Sequence, residues 1–370
     1  MKKRSYGLIL LVLAAFLVLT FAACGDGGAP PAAPAEPAAP AEPAEPAEPA
    51  EEEPPAPAGD DDWQIVLVPK DATNAWFVRM EEGVRRYNAA HSGVSVRQEG
   101  PPATDAAMQA EVIRGLIAQG VDAIAVVPVD PEALESVLAE ALEAGIVVVS
   151  HEGSTMRNTM YNIEAFPNAD YGAFIMDVLA SAMGYEGVYT TMVGHVTNAS
   201  HNEWADGGVA HQLATHSNMT LLPSQPRVES EDNSEVAFNR AIELITLYPE
   251  LRGIMGTSSR DVPGVARAIE ELGLIGNFFV AGTGLPNEVM PFLENGTLTA
   301  ATLWDPADAG YALVSLAHQV LQGITIGDGT DLGLEGWDNM QVDTDNTVNT
   351  TLFGAGWVLI TLDNARDFGF

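Results

Sequence analysis

The chain has 370 residues, of which 51 are acidic and only 16 basic, so its formal charge at neutral pH is −35. A chain this acidic is repelled by nucleic acids and by anionic lipid surfaces, which excludes both as partners. Its one cysteine excludes an intramolecular disulfide bond.

The N-terminal residues predict export. Residues 1–23 join basic residues at positions 2–4 to an uncharged apolar run from Leu8 to Ala23, which is the pattern of a secretory signal peptide. Small residues before Cys24 predict that this cysteine carries a lipid anchor. Two alternatives stay open: cleavage nearby without lipidation, and an uncleaved anchor, since the run is just short of a membrane span.

Residues 24–62 consist almost entirely of Ala, Pro, Glu and Gly, with repeated A-E-P units. Such a segment has too little apolar surface to fold, and its prolines stiffen it, so it is predicted to be a disordered tether. It would hold the remaining residues away from a membrane. Those residues, 63–370, are more than one hydrophobic core usually serves, which predicts two lobes.

Short apolar runs alternate with segments of helical periodicity from Trp63 onwards. The runs are rich in β-branched residues and lack polar alternation, which indicates parallel strands buried on both faces between helices. The first series has strands at Trp63, Val94, Asp122 and Ile146, separated by helices over residues 76–90, 104–119 and 131–144.

A second series begins at Asn168. Helices are predicted over residues 168–183, 203–216, 233–247, 262–272 and 287–294, with strands at residues 187–193, near 220, and at 253, 278 and 298–304. Two series of this kind predict an α/β protein built from two doubly wound parallel-sheet lobes. In such sheets ligands bind beyond the carboxyl ends of the strands.

The strand ends are rich in aromatic, acidic and amide side chains. Indole faces stack on the C–H faces of a sugar, and carboxylates and amides bind its hydroxyls, so this composition predicts a polyhydroxylated ligand. The predicted ligand-binding residues are Lys70, Asn74, Trp76, Phe77, Glu152, His201, Asn202, Trp204, Ser259, Arg260, Trp304 and Asp305.

Three of these assignments have competing interpretations. Lys70 is the only lysine after the signal, at the end of the first strand, but a solvated surface lysine is the usual case. Glu152, after His151, is predicted to accept ligand hydroxyls, although this pair could instead cap a turn. Asn202 is also a good helix N-cap, a role compatible with binding.

No catalytic or metal motif emerges. His151 has no second histidine at a ligand spacing nearby, G-x-S-x-G does not occur, and the G-T-G-L-P-N segment from Gly282 indicates a turn. We therefore expect a binding protein without catalysis, cofactor or metal.

Several segments together resemble a known family. P-K-D-A-T-N-A-W-F, Q-G-V-D-A-I-A-V-V-P-V-D-P, H-N-E-W, L-P-N-E-V-M-P-F-L-E-N-G-T-L and T-L-W-D are similar to the type I periplasmic sugar-binding proteins, most of all to the autoinducer-2 and rhamnose-binding branch. The resemblance covers nearly all of residues 63–370. Ser200 and His201 replace the Asp-Gln pair of the autoinducer-2 receptors, and Thr257 and Ser259 replace their Pro and Ala, which indicates a different ligand.

The resemblance implies two lobes joined by three crossing segments, near Glu164, Asp305 and Gln341. The first lobe would then comprise residues 63–164 and 305–340, and the second residues 165–304 and 341–370. The resemblance also implies that Lys70 and Glu152 contact ligand.

The implied function is that of a substrate-binding protein of an ABC importer, which closes on a monosaccharide or sugar-like molecule and delivers it to a membrane permease. The alternative is a sensory receptor that signals to a membrane kinase or chemoreceptor. A repressor is excluded because an acidic tether stands where a basic DNA-binding headpiece would be.

Overall fold

A computed structural model describes residues 63–370. The predicted signal peptide, the Cys24 anchor and the tether lie outside the described residues. Within them, no helix is both long enough and apolar enough to cross a membrane.

The first part of the chain alternates strands and helices. Its elements are β1 (Trp63–Val68), α1 (Ala75–Ala90), β2 (Val94–Gln98), α2 (Ala106–Gln119), β3 (Ala123–Val126), α3 (Pro131–Glu143), β4 (Val147–His151) and β5 (Tyr161–Glu164). Three side chains, those of Asn74, Asp105 and Asp130, cap the N-termini of the three helices by accepting backbone N–H bonds. Apolar strands and polar caps thus produce the predicted alternation.

The second part continues the pattern with shorter strands. Its elements are α4 (Asn168–Met183), β6 (Gly187–Val193), α5 (Ala199–Thr215), β7 (Met219–Leu221), β8 (Arg227–Glu229), α6 (Ser234–Leu247), β9 (Leu251–Gly256), α7 (Asp261–Glu271), β10 (Phe279–Gly282), α8 (Pro286–Glu294) and β11 (Ala301–Leu303). After these come α9 (Pro306–Leu321), β12 (Gln341–Val342), β13 (Thr351–Phe353), β14 (Val358–Ile360) and a 3₁₀ turn at Ala365–Asp367.

The strands form two main sheets. The first has the order β12-β13-β5-β4-β3-β1-β2, and all its pairings are parallel except that of β12 with β13. The second has the order β10-β9-β6-β7, with β8 also paired to β6, and is parallel throughout. The prediction of two doubly wound α/β lobes is therefore confirmed.

Helices cover both faces of the first sheet. On one face, Val66, Val68, Ile124 and Val126 pack with apolar residues of α2 and α3. On the other, α9 packs against α1 and against β1, β3 and β4, so residues after Asp305 belong to the first lobe. Residues 65–68 of β1 and all of β3 are apolar without alternation because both faces of the sheet are buried there.

The chain crosses between the lobes at three places. It leaves β5 at Glu164 and enters α4, which packs against α5, β9 and β10 of the second lobe, and it returns between β11 and α9. The third crossing was expected near Gln341, but β12 and β13 both belong to the first sheet and only β14 pairs with β11. It therefore lies between Phe353 and Val358, which corrects the third boundary. The strands involved are two or three residues long and give no apolar run from which to place them.

Candidate functional site

A cavity lies between the lobes at the carboxyl ends of the strands, and the space inside it that a water-sized sphere can reach is about 30 Å³. Its first wall is formed by Lys70, Asn74, Trp76, Phe77, Glu152 and Trp304, and its second by His201, Trp204, Asp232, Thr257, Ser258, Ser259 and Thr283. Most of these side chains are buried, so the lobes are closed over the cavity.

A buried ion pair dominates the first wall. Lys70, two residues beyond β1, places its Nζ 2.6 Å from Oε2 of Glu152, which follows β4, and both side chains are at most 4 % exposed. Because β1 and β4 both flank β3 in the parallel sheet, their carboxyl ends bring these residues together although they are 82 positions apart. Such a pair is stable in the interior only while both partners are present.

Glu152 is held in an uncommon backbone conformation. Its φ is +60°, in the left-handed region that residues with a Cβ rarely adopt. The next amide, that of Gly153, donates to Oδ1 of Asn162 on β5 at 2.8 Å, which fixes the turn. Burial acts to raise the pKa of Glu152, but the Lys70 ammonium outweighs it and lowers that pKa, so the carboxylate is ionised. Backbone strain held in place by surrounding bonds is common at binding sites.

His151 lies next to this carboxylate but donates no hydrogen bond to it. Its Nδ1 lies 2.8 Å from the carbonyl oxygen of Ile163, to which it donates, so that in the neutral ring Nε2 is an acceptor. Nε2 lies 3.7 Å from Oε1 of Glu152 and has no hydrogen-bond partner among the described residues. Burial lowers the pKa of His151, which keeps the ring neutral.

The second wall contains a histidine and an acid. The backbone N–H of Gly194 donates to Nδ1 of His201 at 3.3 Å, so the neutral ring carries its proton on Nε2. Burial, with Lys70 second, lowers the pKa of His201 to about 4, which keeps it neutral at physiological pH. Asp232 accepts a 2.6 Å hydrogen bond from the Ser258 hydroxyl. Burial acts to raise the pKa of Asp232, but the charge of Lys70 and the hydrogen bond from Ser258 lower it overall, so this carboxylate is ionised too.

Three tryptophans form the apolar part of the lining. The ring of Trp304 makes edge contacts with Trp76 and Trp204, with centroids 4.7 and 5.3 Å apart. The indole N–H of Trp204 donates to Oδ1 of Asn168 at 2.6 Å, whereas that of Trp304 is buried without a partner among the described residues. An aromatic cluster supplies flat apolar surfaces that the polar residues around the cavity do not.

The structure brings nine of the predicted residues together in one lining: Lys70, Asn74, Trp76, Phe77, Glu152, His201, Trp204, Ser259 and Trp304. It also answers the competing interpretation of Lys70, which is 3 % exposed and not a solvated surface lysine. The Asn74 and His201 side chains also accept backbone N–H bonds: Asn74 caps α1, and His201 accepts from Gly194.

Three predicted residues lie outside the lining, and each has other partners. Asn202 turns towards Arg227 and the carbonyl oxygens of His195 and Asn198. Asp305 caps α9 through Ala307 N–H and pairs with Arg79 of α1 at 2.6 Å.

Arg260 pairs with Glu288 at 2.7 Å and donates to Oδ1 of Asn74 at 2.8 Å across the two lobes. Arg260 and Asp305 do follow strands, as predicted. Asn202 lies within the first turn of α5 instead, and the N-cap of that helix is Asn198, which corrects the interpretation of Asn202 as the cap. The direction in which a side chain leaves such a turn is set by local hydrogen bonds that the sequence pattern does not reveal.

Sequence reasoning missed Asp232 in the second wall. It lies three residues after β8, a strand whose sequence, R-V-E, contains no apolar run. The usable signal was the N-cap pattern at Asn233, which begins α6, because the residue before a helix that follows a strand lies at the ligand-facing edge.

Comparison with known proteins gives a consistent result. Residues 65–325 match the family model of the periplasmic binding protein domain. The D-allose-binding periplasmic protein of Escherichia coli K12 is 27 % identical over 257 residues, which is 67 % of this chain and 81 % of that protein. These names describe binding proteins, as expected for a chain that is not an enzyme.

Solved structures show the same fold. LsrB from Clostridium saccharobutylicum in complex with AI-2 superposes with a TM-score of 0.76 at 20 % identity, over 83 % of this chain and 100 % of that one. A solute-binding protein of an ABC transporter from Clostridium phytofermentas with bound L-rhamnose gives a TM-score of 0.74 at 20 % identity, over 83 % of this chain and 98 % of that one. The family match and the shared fold together confirm the resemblance to periplasmic binding proteins noted in the sequence.

Proposed function

The chain belongs to the periplasmic binding protein family, and on that premise we propose that it binds a monosaccharide or a sugar-like molecule between its lobes and delivers it to an ABC importer. The observation that carries this proposal is the closed cavity, in which indole rings and ionised carboxylates from both lobes face the same space. D-allose and L-rhamnose, for which two of the similar proteins are named, are polyhydroxylated rings of the kind such a lining suits.

The lining offers both hydrogen-bonding groups for the hydroxyls of a sugar and aromatic surfaces for its C–H groups. A carboxylate accepts from two neighbouring hydroxyls, and Glu152 and Asp232 supply one carboxylate from each wall. His201 Nε2–H and the Ser259 hydroxyl are available as neutral donors. Trp76 and Trp304 offer aromatic edges and faces to the C–H surface of a ring.

The charge of the cavity restricts the ligand. Lys70 provides one positive charge against the negative charges of Glu152 and Asp232, and His201 is neutral. The lining therefore has one excess negative charge, which disfavours phosphorylated sugars and sugar acids. A neutral, unphosphorylated ligand is the one that suits it.

Binding requires the lobes to open. Glu152 and Lys70 are both 3 % exposed, so no ligand reaches them in the closed arrangement. Two direct hydrogen bonds join the lobes beside the cavity: Arg260 to Asn74 at 2.8 Å, and the Ser154 hydroxyl to Oε1 of Glu203 at 2.5 Å. A hinge motion that breaks these two bonds would admit the ligand, and closure would bury it.

Delivery to an importer places the protein outside the cytoplasm, where the N-terminal sequence predicts that it is lipid-anchored at Cys24. Metabolic labelling with a radioactive fatty acid tests the anchor. Label on the wild type that disappears from the Cys24→Ser variant supports it, and equal labelling of both contradicts it.

Isothermal titration of the purified chain with a panel of neutral pentoses, hexoses and deoxyhexoses tests the binding function. We expect one panel member to bind with one site per chain, and its phosphate ester not to bind. Mass spectrometry of small molecules that copurify with the protein identifies ligands beyond the panel. The Glu152→Gln variant should lose binding, whereas Asn202→Ala, which alters a side chain outside the lining, should keep it.

Failure across the panel together with a copurified ligand that is not a polyol would overturn the sugar assignment. Unchanged affinity in the Glu152→Gln variant would place the site elsewhere. A ligand that binds as expected but is not imported by cells carrying the gene and its neighbouring permease would favour the sensory alternative.

A further inference from the structure

We propose that the second lobe binds a Zn²⁺ ion through Asp177, His211 and His216, on a surface separate from the sugar cavity. Both imidazole Nε2 atoms converge on one carboxylate oxygen: Asp177 Oδ1 lies 2.7 Å from that of His211 and 2.8 Å from that of His216. The three candidate ligand atoms all lie within 4.8 Å of one another. The three donor atoms are therefore close enough to one another to bind a single ion.

The scaffold that carries two of these residues is rigid. Asp177 lies on α4 and His211 on α5, and these helices run parallel with their backbones in close contact. A Cβ on Gly172 would lie 2.0 Å from the Trp204 carbonyl oxygen, and one on Gly207 would lie 2.5 Å from that of Ala169. Glycines at these contacts let the helices approach, so the spacing between Asp177 and His211 is fixed by packing rather than by the ion.

The third residue, His216, follows the last turn of α5 and is held by its backbone. Its N–H donates to the carbonyl oxygen of Gln212 at 2.9 Å, and its own carbonyl oxygen accepts from Gln212 Nε2 at 3.1 Å. Gln212 is buried and is itself oriented by the Tyr189 hydroxyl at 3.0 Å. The imidazole of His216 is therefore presented to Asp177 by a fixed turn, in the way that preorganised metal sites are built.

The donor set suits zinc. Two neutral imidazoles and one carboxylate are ligands that Zn²⁺ takes in sites with three protein ligands and a water, whereas Ca²⁺ and Mg²⁺ prefer oxygen alone. Bonds of about 2.0–2.1 Å in tetrahedral geometry require the donor atoms to separate by roughly half an ångström from their present distances. The Asp177 side chain is 54 % exposed, so a hydrated ion reaches the site and a water ligand can complete the coordination.

Bound zinc would tie α4 to the end of α5. Because ligands that bind only the folded state stabilise it, zinc should raise the melting temperature of the whole chain. The sugar cavity contributes none of the three ligands. Zinc binding and sugar binding can therefore fail independently of one another.

Titration of the EDTA-treated full chain with ZnCl₂ tests the proposal. We expect one ion per chain in the wild type, and a loss of more than about tenfold in affinity in each of the variants Asp177→Asn, His211→Ala and His216→Ala. The matched control is His91→Ala, in which a half-buried histidine of the first lobe that stacks on Tyr87 is removed. It should bind zinc as the wild type does.

Thermal unfolding distinguishes the loss of a zinc ligand from a general loss of stability. Without metal, the three ligand variants should melt within a few degrees of the wild type, and added ZnCl₂ should raise the melting temperature of the wild type and of His91→Ala but not of His216→Ala. Co²⁺ serves as a spectroscopic probe, since imidazole ligation gives visible absorption that His211→Ala should abolish. Absence of saturable zinc binding, or binding retained in a His211→Ala/His216→Ala double variant, would show that the cluster is a set of hydrogen bonds only and overturn the proposal.

Discussion

The two walls of the cavity are built in different ways. The first presents a buried ion pair in which Lys70 and Glu152 are each other's partners. Removing either residue leaves the charge of the other buried without a partner. The second presents short polar side chains: the Ser258 hydroxyl donates to Asp232 and accepts from the backbone N–H of Arg260. Substitutions in the first wall should therefore lower both the stability of the protein and its affinity for ligand, whereas those in the second should lower affinity alone.

The largest expected effect is on the ion pair. Glu152→Gln leaves the Lys70 ammonium buried without a counter-charge, which should lower the free energy of unfolding by about 3–5 kcal/mol. Lys70→Met should be similarly destabilising, because it strands the Glu152 carboxylate. Urea denaturation with and without ligand measures both variants.

The double variant Lys70→Met/Glu152→Gln is the control for this prediction. With neither charge present it should be more stable than either single variant. If the two single losses simply add, the pair is not coupled and the proposed difference between the walls disappears.

A smaller effect is expected from Asp232→Asn in the second wall. Asparagine keeps the shape and tolerates the positive φ of +49°, but it removes the charged acceptor for ligand hydroxyls. Affinity should fall about tenfold or more, since a hydrogen bond to a charged group contributes about 1.5–3 kcal/mol. Titration with the identified ligand measures the loss.

The free energy of unfolding of Asp232→Asn should stay close to that of the wild type, in contrast to the first wall. Glu231→Gln is the matched control, because Glu231 is the preceding residue of the same turn and its side chain is exposed. A large loss of stability in Asp232→Asn, or an equal loss of affinity in Glu231→Gln, would argue against the assignment.

A third prediction concerns Asp261, whose carboxylate binds the backbone of two second-wall residues. Its Oδ2 accepts from the backbone N–H groups of Thr257 and Ser258, both at 2.9 Å, and burial raises the pKa of Asp261 to about 7. Because this pKa lies above its ordinary value of 3.8, the folded state favours the protonated acid. The contribution of Asp261 to stability is therefore full at low pH and is lost as pH rises towards 7.

Asp261→Asn removes this titration while keeping an acceptor for both amides. The free energy of unfolding of the variant relative to the wild type should therefore rise between pH 5 and pH 8, by on the order of 1 kcal/mol. Urea melts at both pH values measure it. A relative stability that stays flat or falls over that interval would contradict the sign.

The first wall could be predicted from the sequence because its strands carry the signal. I-V-L-V before Lys70 and I-V-V-V-S before His151 are apolar runs that a parallel sheet buries on both faces, so the residues after them were placed correctly at the edge of the sheet. Two lobes and their alternation followed from the same runs. The partnership of Lys70 with Glu152 could not be predicted from these runs, since it depends on the order of strands in the sheet.

The second wall was harder to predict from the sequence. Asp232 follows R-V-E, a three-residue strand with no apolar run. β12 and β13 have two and three residues, which is why the third crossing was misplaced. Asp305 illustrates a different limit. It stands after a strand, but the partner that turns it away, Arg79, is 226 positions distant in the sequence.

The smallest effect is expected from these displaced residues. Asp305→Ser keeps an N-cap for α9 and removes only the bond to Arg79, a partly exposed pair whose contribution is at most about 1 kcal/mol. Affinity should stay within about twofold of the wild type, as it should in Asn202→Ala, because neither side chain reaches the cavity. Titration against the same ligand as for Asp232→Asn gives the comparison. A tenfold loss of affinity in Asp305→Ser would show that the ion pair with Arg79 sets the position of Trp304 in the first wall. The crossing segment between Trp304 and α9 would then control closure of the lobes.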